Sequence, residues 1–397
     1  MNKVTIIDMD HQGRGIAKDN NKIIFIPNTL IDEIVEYKIT KSKKNYCEGQ
    51  VINFIKKSPN RIKESCSYNC GGCDLLHMNY SDQLDYKQKK IENIMKKFTG
   101  LDLKINKIIP SDETFYYRNK VTFHIDKKIG LFKKKTNEIV EIDKCLLADK
   151  KINQILIELK KLNINSVKQI VIKASSSETM VYYDGNINNI ETISATTIVN
   201  NNKVIKGNGY ITEKLKNLKF IISPESFFQI NTKQTIKLYD KVKEFANLTT
   251  NENLLDLYCG TGTIGLYLSD KCNQVLGVEI NNDAIKDANQ NKEINNISNA
   301  TFILGDAKDV IKKTNFKPDI IVVDPPRSGL FKGMVSDIVS FNAKKLIYVS
   351  CDPITLARDL KELNEYYNIV EIQPIDLFPN TYHIECIVLL NIKVLKN

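Results

Sequence analysis

No apolar run in the sequence approaches the length of a membrane-spanning helix, which argues against an integral helical membrane protein. The first residues, MNKVTIIDMDHQGRG, lack the apolar core of a secretory signal, so a cytoplasmic location is expected. In that compartment the nine cysteines should be reduced thiols. Clustered ones then point to metal binding or catalysis rather than to disulfides. Residues 150–220 carry no motif, only short helical and strand segments joined by Asn-rich turns. Nothing in the chain calls for an obligate protein partner.

What is present is length and positive charge. The 397 residues exceed one ordinary core and predict two or three domains. Forty-two per cent are hydrophobic, enough for packed interiors. The formal net charge of +10 suits a polyanionic partner such as RNA, although the abundance of Lys, Asn and Ile also looks like compositional bias. Residues 1–57 read as several short strands with Gly13 and Gly15 in the first turn, which predicts a small β-barrel. Its Lys41, Lys43, Lys44, Lys56 and Lys57 either follow a phosphate backbone or form a solvated face. Residues 81–98 predict a helix with Leu84, Ile91, Ile94 and Met95 on one side and Gly100 as its stop. Residues 115–145 read as hairpins. From about 221 the pattern becomes strand–helix–strand, as in a doubly wound parallel sheet.

Two stretches carry chemistry at the nucleotide edge of that sheet. NLLDLYCGTGTIGLYL places Asp256 at a strand end and Gly260, Gly262 and Gly265 in the turn that follows. The match to G-x-G-x-x-G alone fits a nicotinamide dehydrogenase. An acid four residues before the first glycine, and Glu279 closing the next strand in GVEI, fit the S-adenosylmethionine site of class I methyltransferases better. DIIVVDPPRSGL then ends a buried strand at Asp324, with two prolines to stiffen a wall for a flat base. Ligands of open α/β sheets bind beyond such strand ends.

LIYVSCDPIT puts Cys351 between a strand end and a helix, with Asp352 as N-cap and Pro353 as first helical residue. A helix N-terminus lowers a thiol's pKa, so a reactive thiolate is expected. Cys259, Cys272 and Cys386 read instead as inert buried thiols. A thiolate makes sense beside a methyl donor, because carbon 5 of uracil becomes nucleophilic once a thiolate adds to carbon 6. The extra proton at carbon 5 then needs a base. The nearby FPNTYHIE offers His383 or Glu385, and chemistry alone does not choose between them.

SPESFFQIN, DLYCGTGTIGL, VVDPPRSGL, YVSCDPITLARDL and FPNTYHIE, in that order, resemble the bacterial RNA 5-methyluridine methyltransferases. More narrowly, the chain is similar to the 23S rRNA (uracil-5-)-methyltransferases. The resemblance implies three parts. Residues 1–57 form an OB-like TRAM barrel. Residues 58–220 form a central α+β domain with a metal cluster, its helix 81–98 packing on the catalytic domain. Residues 221–397 form a Rossmann-like class I methyltransferase. It implies that Gln229, Tyr258, Glu279 and Asp324 contact the cofactor, that Cys351 is the nucleophile and that Glu385 is the base. It also implies that Cys66, Cys70, Cys73 and Cys145 ligate a [4Fe–4S] cluster, with zinc the alternative for four thiolates. The first two cysteines have three residues between them here, where the family usually has five. A transfer RNA T-loop methyltransferase shares the catalytic core but generally lacks barrel and cluster, so 23S rRNA is the expected substrate. A non-catalytic RNA-binding protein on this scaffold is the rival from another class.

Overall fold

A computed structural model describes residues 2–19 and 22–393. Six short strands near the N-terminus form one bent sheet, ordered Asn2–Thr5, Ile34–Ser42, Tyr46–Lys56, Lys22–Ile26, Gly15–Asp19 and Asp8–Met9. Alternating residues of these strands point inward, and Val4, Ile6, Ile24, Ile26, Val35 and Tyr37 fill a core of their own. Lys41, Lys43, Lys44, Lys56 and Lys57 are all exposed.

The middle of the chain holds a seven-stranded sheet, with Gln169–Ala174 and Lys120–Asp126 at its centre, covered by the helix Lys150–Leu159. Ahead of it in sequence lies α1 (Tyr80–Thr99), capped by Asn79 and stopped by Gly100 in the left-handed region. This helix leaves its neighbours in sequence. Ile91, Ile94 and Met95 enter the core that contains Leu356, Leu360 and Ile384, in the C-terminal part of the chain.

That part is a seven-stranded sheet. Its strands are β1 (Asn253–Leu257), β2 (Gln274–Glu279), β3 (Ala300–Leu304), β4 (Ile320–Val323), β5 (Lys345–Ser350), β6 (Tyr367–Ile375) and β7 (Glu385–Ile392). Their order in space is 3-2-1-4-5-7-6. β7 runs antiparallel to both its neighbours, β5 and β6. The order reverses between β1 and β4, which opens a crevice at their carboxyl ends. Four helices bear on the site: α2 (Thr232–Ala246), α3 (Thr263–Leu268), α4 (Asn282–Ile294) and α5 (Pro353–Leu363). Among the described residues, no helix is long and apolar enough to cross a membrane.

Candidate active site

The glycine turn after β1 separates by physical cause. A Cβ on Gly260 would meet nothing within 4 Å, so this glycine faces open space. One on Gly262 would lie 2.7 Å from the Phe302 ring, and one on Gly265 3.1 Å from Asp256 Oδ2. The latter two are therefore packing glycines, and Gly260 fronts the cradle. Tyr258, at φ 64°, turns the chain out of the strand. The Gly260 amide donates to Glu279 Oε2 at 3.1 Å, and the Asn281 amide to Oε1 at 2.8 Å. These bonds fix the Glu279 carboxylate beside the cradle, with lone pairs left for a diol. Asp256 is fully buried and accepts from the Gly265 amide at 2.9 Å, while its Oδ1 has no partner. Burial, with Asp324 and Glu279 nearby, pushes its carboxyl up to about 8. The Tyr258 hydroxyl is likewise buried and unpartnered. A cradle of carboxylates against open space suits a cationic ligand.

The second half of the site lies across β4, β5 and β7. Ser350 pairs with Cys386 in the antiparallel ladder, so the next residue, Cys351, stands opposite Glu385 on the neighbouring strand. Glu385 is 2 % exposed. Burial and then Asp324 hold its carboxyl well above the ordinary value, against a smaller opposing pull from Arg327. Burial likewise raises Asp324 to about 7. The buried phenol of Tyr239, on α2, lies close to Asp324, Asp256 and Glu385 and is held to Thr263 Oγ1 at 2.8 Å.

The expected resting thiolate is not what this arrangement produces. Burial, then Glu385 and Asp324, push the Cys351 thiol up to about 12. The helix N-terminus does not offset this, because Asp352 takes the free amides of Ile354 and Thr355 at 2.9 and 3.2 Å. The cap that starts α5 thus neutralises the end of the dipole with an anion. In the free protein Cys351 is a protonated thiol.

The loop between β6 and β7, which carries His383, is held by α1, from far back in the chain. Gln83 of α1 bonds the Asn380 amide at 2.9 Å and its side chain at 3.1 Å. Lys87 makes a fully buried ion pair with Asp376 at 2.6 Å and donates to the Phe378 carbonyl at 3.0 Å. Lys90 donates to the Tyr382 carbonyl at 2.7 Å. The sequence reading gave these three residues no role. Their spacing was a usable signal, since it sets two lysines and a glutamine on the apolar face of an amphipathic helix. Burial, with Arg327 and Lys90 next, lowers His383 to about 3, so its ring is neutral. Gln229 is 8 % exposed, and its backbone carbonyl accepts from the Asn119 side chain at 3.0 Å. Asn231 and Gln234 just beyond it donate to the carbonyls of Leu377 and Asp376, which joins this segment to the same loop.

Cys66, Cys70, Cys73 and Cys145 neighbour one another, and the other three thiols all raise Cys73 after the larger effect of burial. They nevertheless do not converge. Among the described residues, no three His, Cys, Asp or Glu side chains are placed to hold a metal ion. The donor set is chemically apt, but the expected metal site is absent as a preformed geometry. A loop with Gly71 and Gly72 can close on a metal only by moving.

The family model of tRNA (Uracil-5-)-methyltransferases matches residues 184–393, and that of the TRAM domain residues 3–52. An uncharacterised RNA methyltransferase of Staphylococcus aureus is 34% identical, covering 98% of this chain and 97% of its own length. The chain belongs to the RNA uracil-5-methyltransferase family. A Clostridium tetani relative, also described as an uncharacterised RNA methyltransferase, is 35% identical over 97% of this chain and 95% of its own. Among solved structures, the Pyrococcus abyssi tRNA (uracil-54, C5)-methyltransferase in complex with S-adenosyl-L-homocysteine superposes with a TM-score of 0.82. It is 29% identical and covers 98% of this chain and 99% of its own. The protein is an S-adenosylmethionine-dependent RNA methyltransferase with an N-terminal TRAM domain.

Proposed function

We propose that the protein methylates carbon 5 of a uridine in 23S rRNA through a covalent adduct between Cys351 and carbon 6 of the base. The observation that carries the reading is the placement of Cys351 opposite Glu385 at the end of two adjacent strands, with Asp324 beside both. S-adenosylmethionine supplies the electrophilic methyl group, in the cradle of Gly260, Asp256, Glu279, Tyr258, Gln229 and Asp324. Of the two carboxyl groups that raise the Cys351 thiol, Asp324, at about 7, takes its proton as the carboxylate, which leaves Glu385 free for the later step. The thiolate adds to carbon 6, and the electron pair moves to carbon 5 as an enolate. Carbon 5 takes the methyl. Glu385, as the carboxylate, then removes the carbon-5 proton, the carbon 6–sulfur bond breaks with its electron pair going to sulfur, and 5-methyluridine leaves; Asp324 returns its proton to the Cys351 thiolate. Neutral His383, two residues before Glu385, is the other candidate base.

The barrel does not decide which RNA is the substrate. The Pyrococcus enzyme named for tRNA covers 98% of this chain, barrel included. A tRNA uridine is therefore the second reading. The exposed lysines of the barrel suit the phosphate backbone of either RNA. Cys66, Cys70, Cys73 and Cys145 remain our proposed ligands for an iron–sulfur cluster, supported by the mutual proximity of four soft donors, and no step of the reaction runs through it. Mapping 5-methyluridine in RNA from cells lacking the gene tests the function. Loss of one or two such sites in 23S rRNA is the expected result. Loss in tRNA alone selects the second reading, and unchanged 5-methyluridine everywhere rejects both.

A further inference from the structure

The turn between the second and third strands of the barrel, Asp10–Arg14, is built unusually firmly for a surface loop. Asp10 Oδ1 accepts from the amides of Gln12 and Arg14 at 2.9 and 2.8 Å. The Arg14 guanidinium pairs with Asp10 Oδ2 at 2.6 Å and lies 4.4 Å over the Phe25 ring. Gly13, at φ 74°, lets the turn press on the rest of the molecule. A Cβ there would sit 2.8 Å from Leu75 and 3.7 Å from Tyr382 Cβ. The Tyr86 hydroxyl of α1 donates to the Asp10 carbonyl at 2.8 Å. One turn of the barrel is thus fixed against α1 and against Tyr382, three residues before the proposed base.

The side chains this frame presents are left without internal work. His11 is exposed, and among the described residues the Gln12 side chain makes only a 3.4 Å contact with the His11 ring. The imidazole lies within electrostatic reach of Lys90 and of Asp352, the residue after Cys351. Cavities open on either side. One of about 450 Å³ is lined by His11, Lys89 and Asn93 and is acidic on its far side, where Asp32, Asp82 and Asp85 face it. The other, of about 750 Å³, is lined by Gln12 and Arg14 on the barrel and by Lys133, Lys134 and Lys135 across from it. Lys134 also lies 5.6 Å over the ring of Tyr382, in the loop that leads into the strand of the proposed base.

We propose that His11 and Gln12 contact the unpaired nucleotides flanking the target uridine, so that the barrel supplies part of the specificity of the catalytic mouth. The inference rests on the uridine methyltransferase reading above. Single-stranded RNA is recognised by stacking on flat side chains and by hydrogen bonds to base edges. A neutral imidazole and a primary amide offer these two contacts, and Lys133, Lys134 and Lys135 across the second cavity offer the phosphate contacts. Rigid support for the turn means that recognition costs little ordering of the protein.

The test is the full-length His11→Ala/Gln12→Ala variant. Asp10, Gly13 and Arg14 stay in place, so the turn and its melting temperature should be kept. RNA affinity is read by filter binding, and steady-state methylation is measured on 23S rRNA and tRNA from cells lacking the gene. Loss of one stacked and hydrogen-bonded nucleotide predicts about a tenfold or greater rise in the RNA Kd and KM. S-adenosylmethionine affinity should be unchanged and kcat at saturating RNA should stay within about twofold, a split that a merely structural turn would not give. His11→Tyr, which keeps a flat ring, should recover part of the affinity. An RNA Kd within twofold of wild type overturns the inference, even if uridine methylation itself stands. A wild-type enzyme that binds RNA through this turn but methylates no uridine overturns the function instead.

Discussion

Lys87 is the point at which the fold and the catalytic loop can be tested together. Its ammonium and the Asp376 carboxylate are both fully buried and 2.6 Å apart. Lys87→Met removes one charge of the pair and strands the other. Among the described residues, the Asp376 side chain keeps only the Tyr80 hydroxyl, at 2.9 Å, and the Phe378 carbonyl loses one donor at 3.0 Å while keeping the Thr381 hydroxyl at 2.8 Å. Breaking a buried pair from one side costs about 3–5 kcal/mol, because the remaining charge is left in a dry site. Replacing both members with apolar residues removes that penalty. Lys87→Met/Asp376→Leu should therefore recover most of the loss, leaving about 1–2 kcal/mol for the Tyr80 hydroxyl, which loses its acceptor but still accepts from the Ser111 amide at 2.7 Å, and for the one bond lost at the Phe378 carbonyl. At roughly 2–4 °C per kcal/mol, the single variant should melt about 10 °C lower and the double variant within about 5 °C of wild type. The chain has no tryptophan, so circular dichroism is the suitable probe. The double variant should regain stability but not full turnover, because the Phe378 carbonyl and the loop beyond it are no longer tied to α1. A single variant costing less than about 1 kcal/mol, or a double variant no better than the single, would refute the reasoning.

The thiol state of Cys351 is testable by alkylation with site-resolved mass spectrometry. With the thiol pushed up to about 12, modification at Cys351 should be slow at pH 7 and climb about tenfold per pH unit through pH 9; a rate already flat above pH 7 would mean a preformed thiolate. Cofactor binding should release protons. Asp256 and Asp324, raised to about 8 and about 7 in the free protein, lie far above the ordinary carboxylate value and are protonated below those values, and a sulfonium beside them lowers both. S-adenosylmethionine affinity should thus rise with pH between about 6 and 8 while that of the uncharged thioether product changes less; calorimetry in buffers of different ionisation heat would expose equal proton release for both as a contradiction. Protein purified without oxygen should carry about four irons per chain if the cysteines hold a cubane cluster, and stoichiometric zinc with no iron would replace that assignment.

The parts of the molecule legible in the sequence are those where chemistry is local. The D-x-x-x-G-x-G turn, Glu279 at the end of its strand, and the Asp352–Pro353 start of α5 each follow from neighbours in the chain, and each stands where its motif required it. The state of Cys351 did not follow, because its strongest neighbours, Glu385 and Asp324, come from two other strands. Reading the helix dipole without the capping carboxylate gave the wrong sign. The grip of Gln83, Lys87 and Lys90 on a loop nearly 300 residues away is tertiary in the same way. The four cysteines show the converse case, in which a spacing pattern names ligands but leaves their convergence to the fold.

The covalent step is the centre of the account, and RNA carrying 5-fluorouridine tests it most directly. Fluorine cannot leave as a proton, so wild-type protein with S-adenosylmethionine should form a conjugate that survives denaturation. Digestion and mass spectrometry should place a methylated fluorouridine on Cys351. Glu385→Gln should accumulate the corresponding conjugate on ordinary RNA, and Cys351→Ala should form none. A conjugate that persists in Cys351→Ala, or methylation of ordinary uridine by that variant at the wild-type rate, would contradict the account.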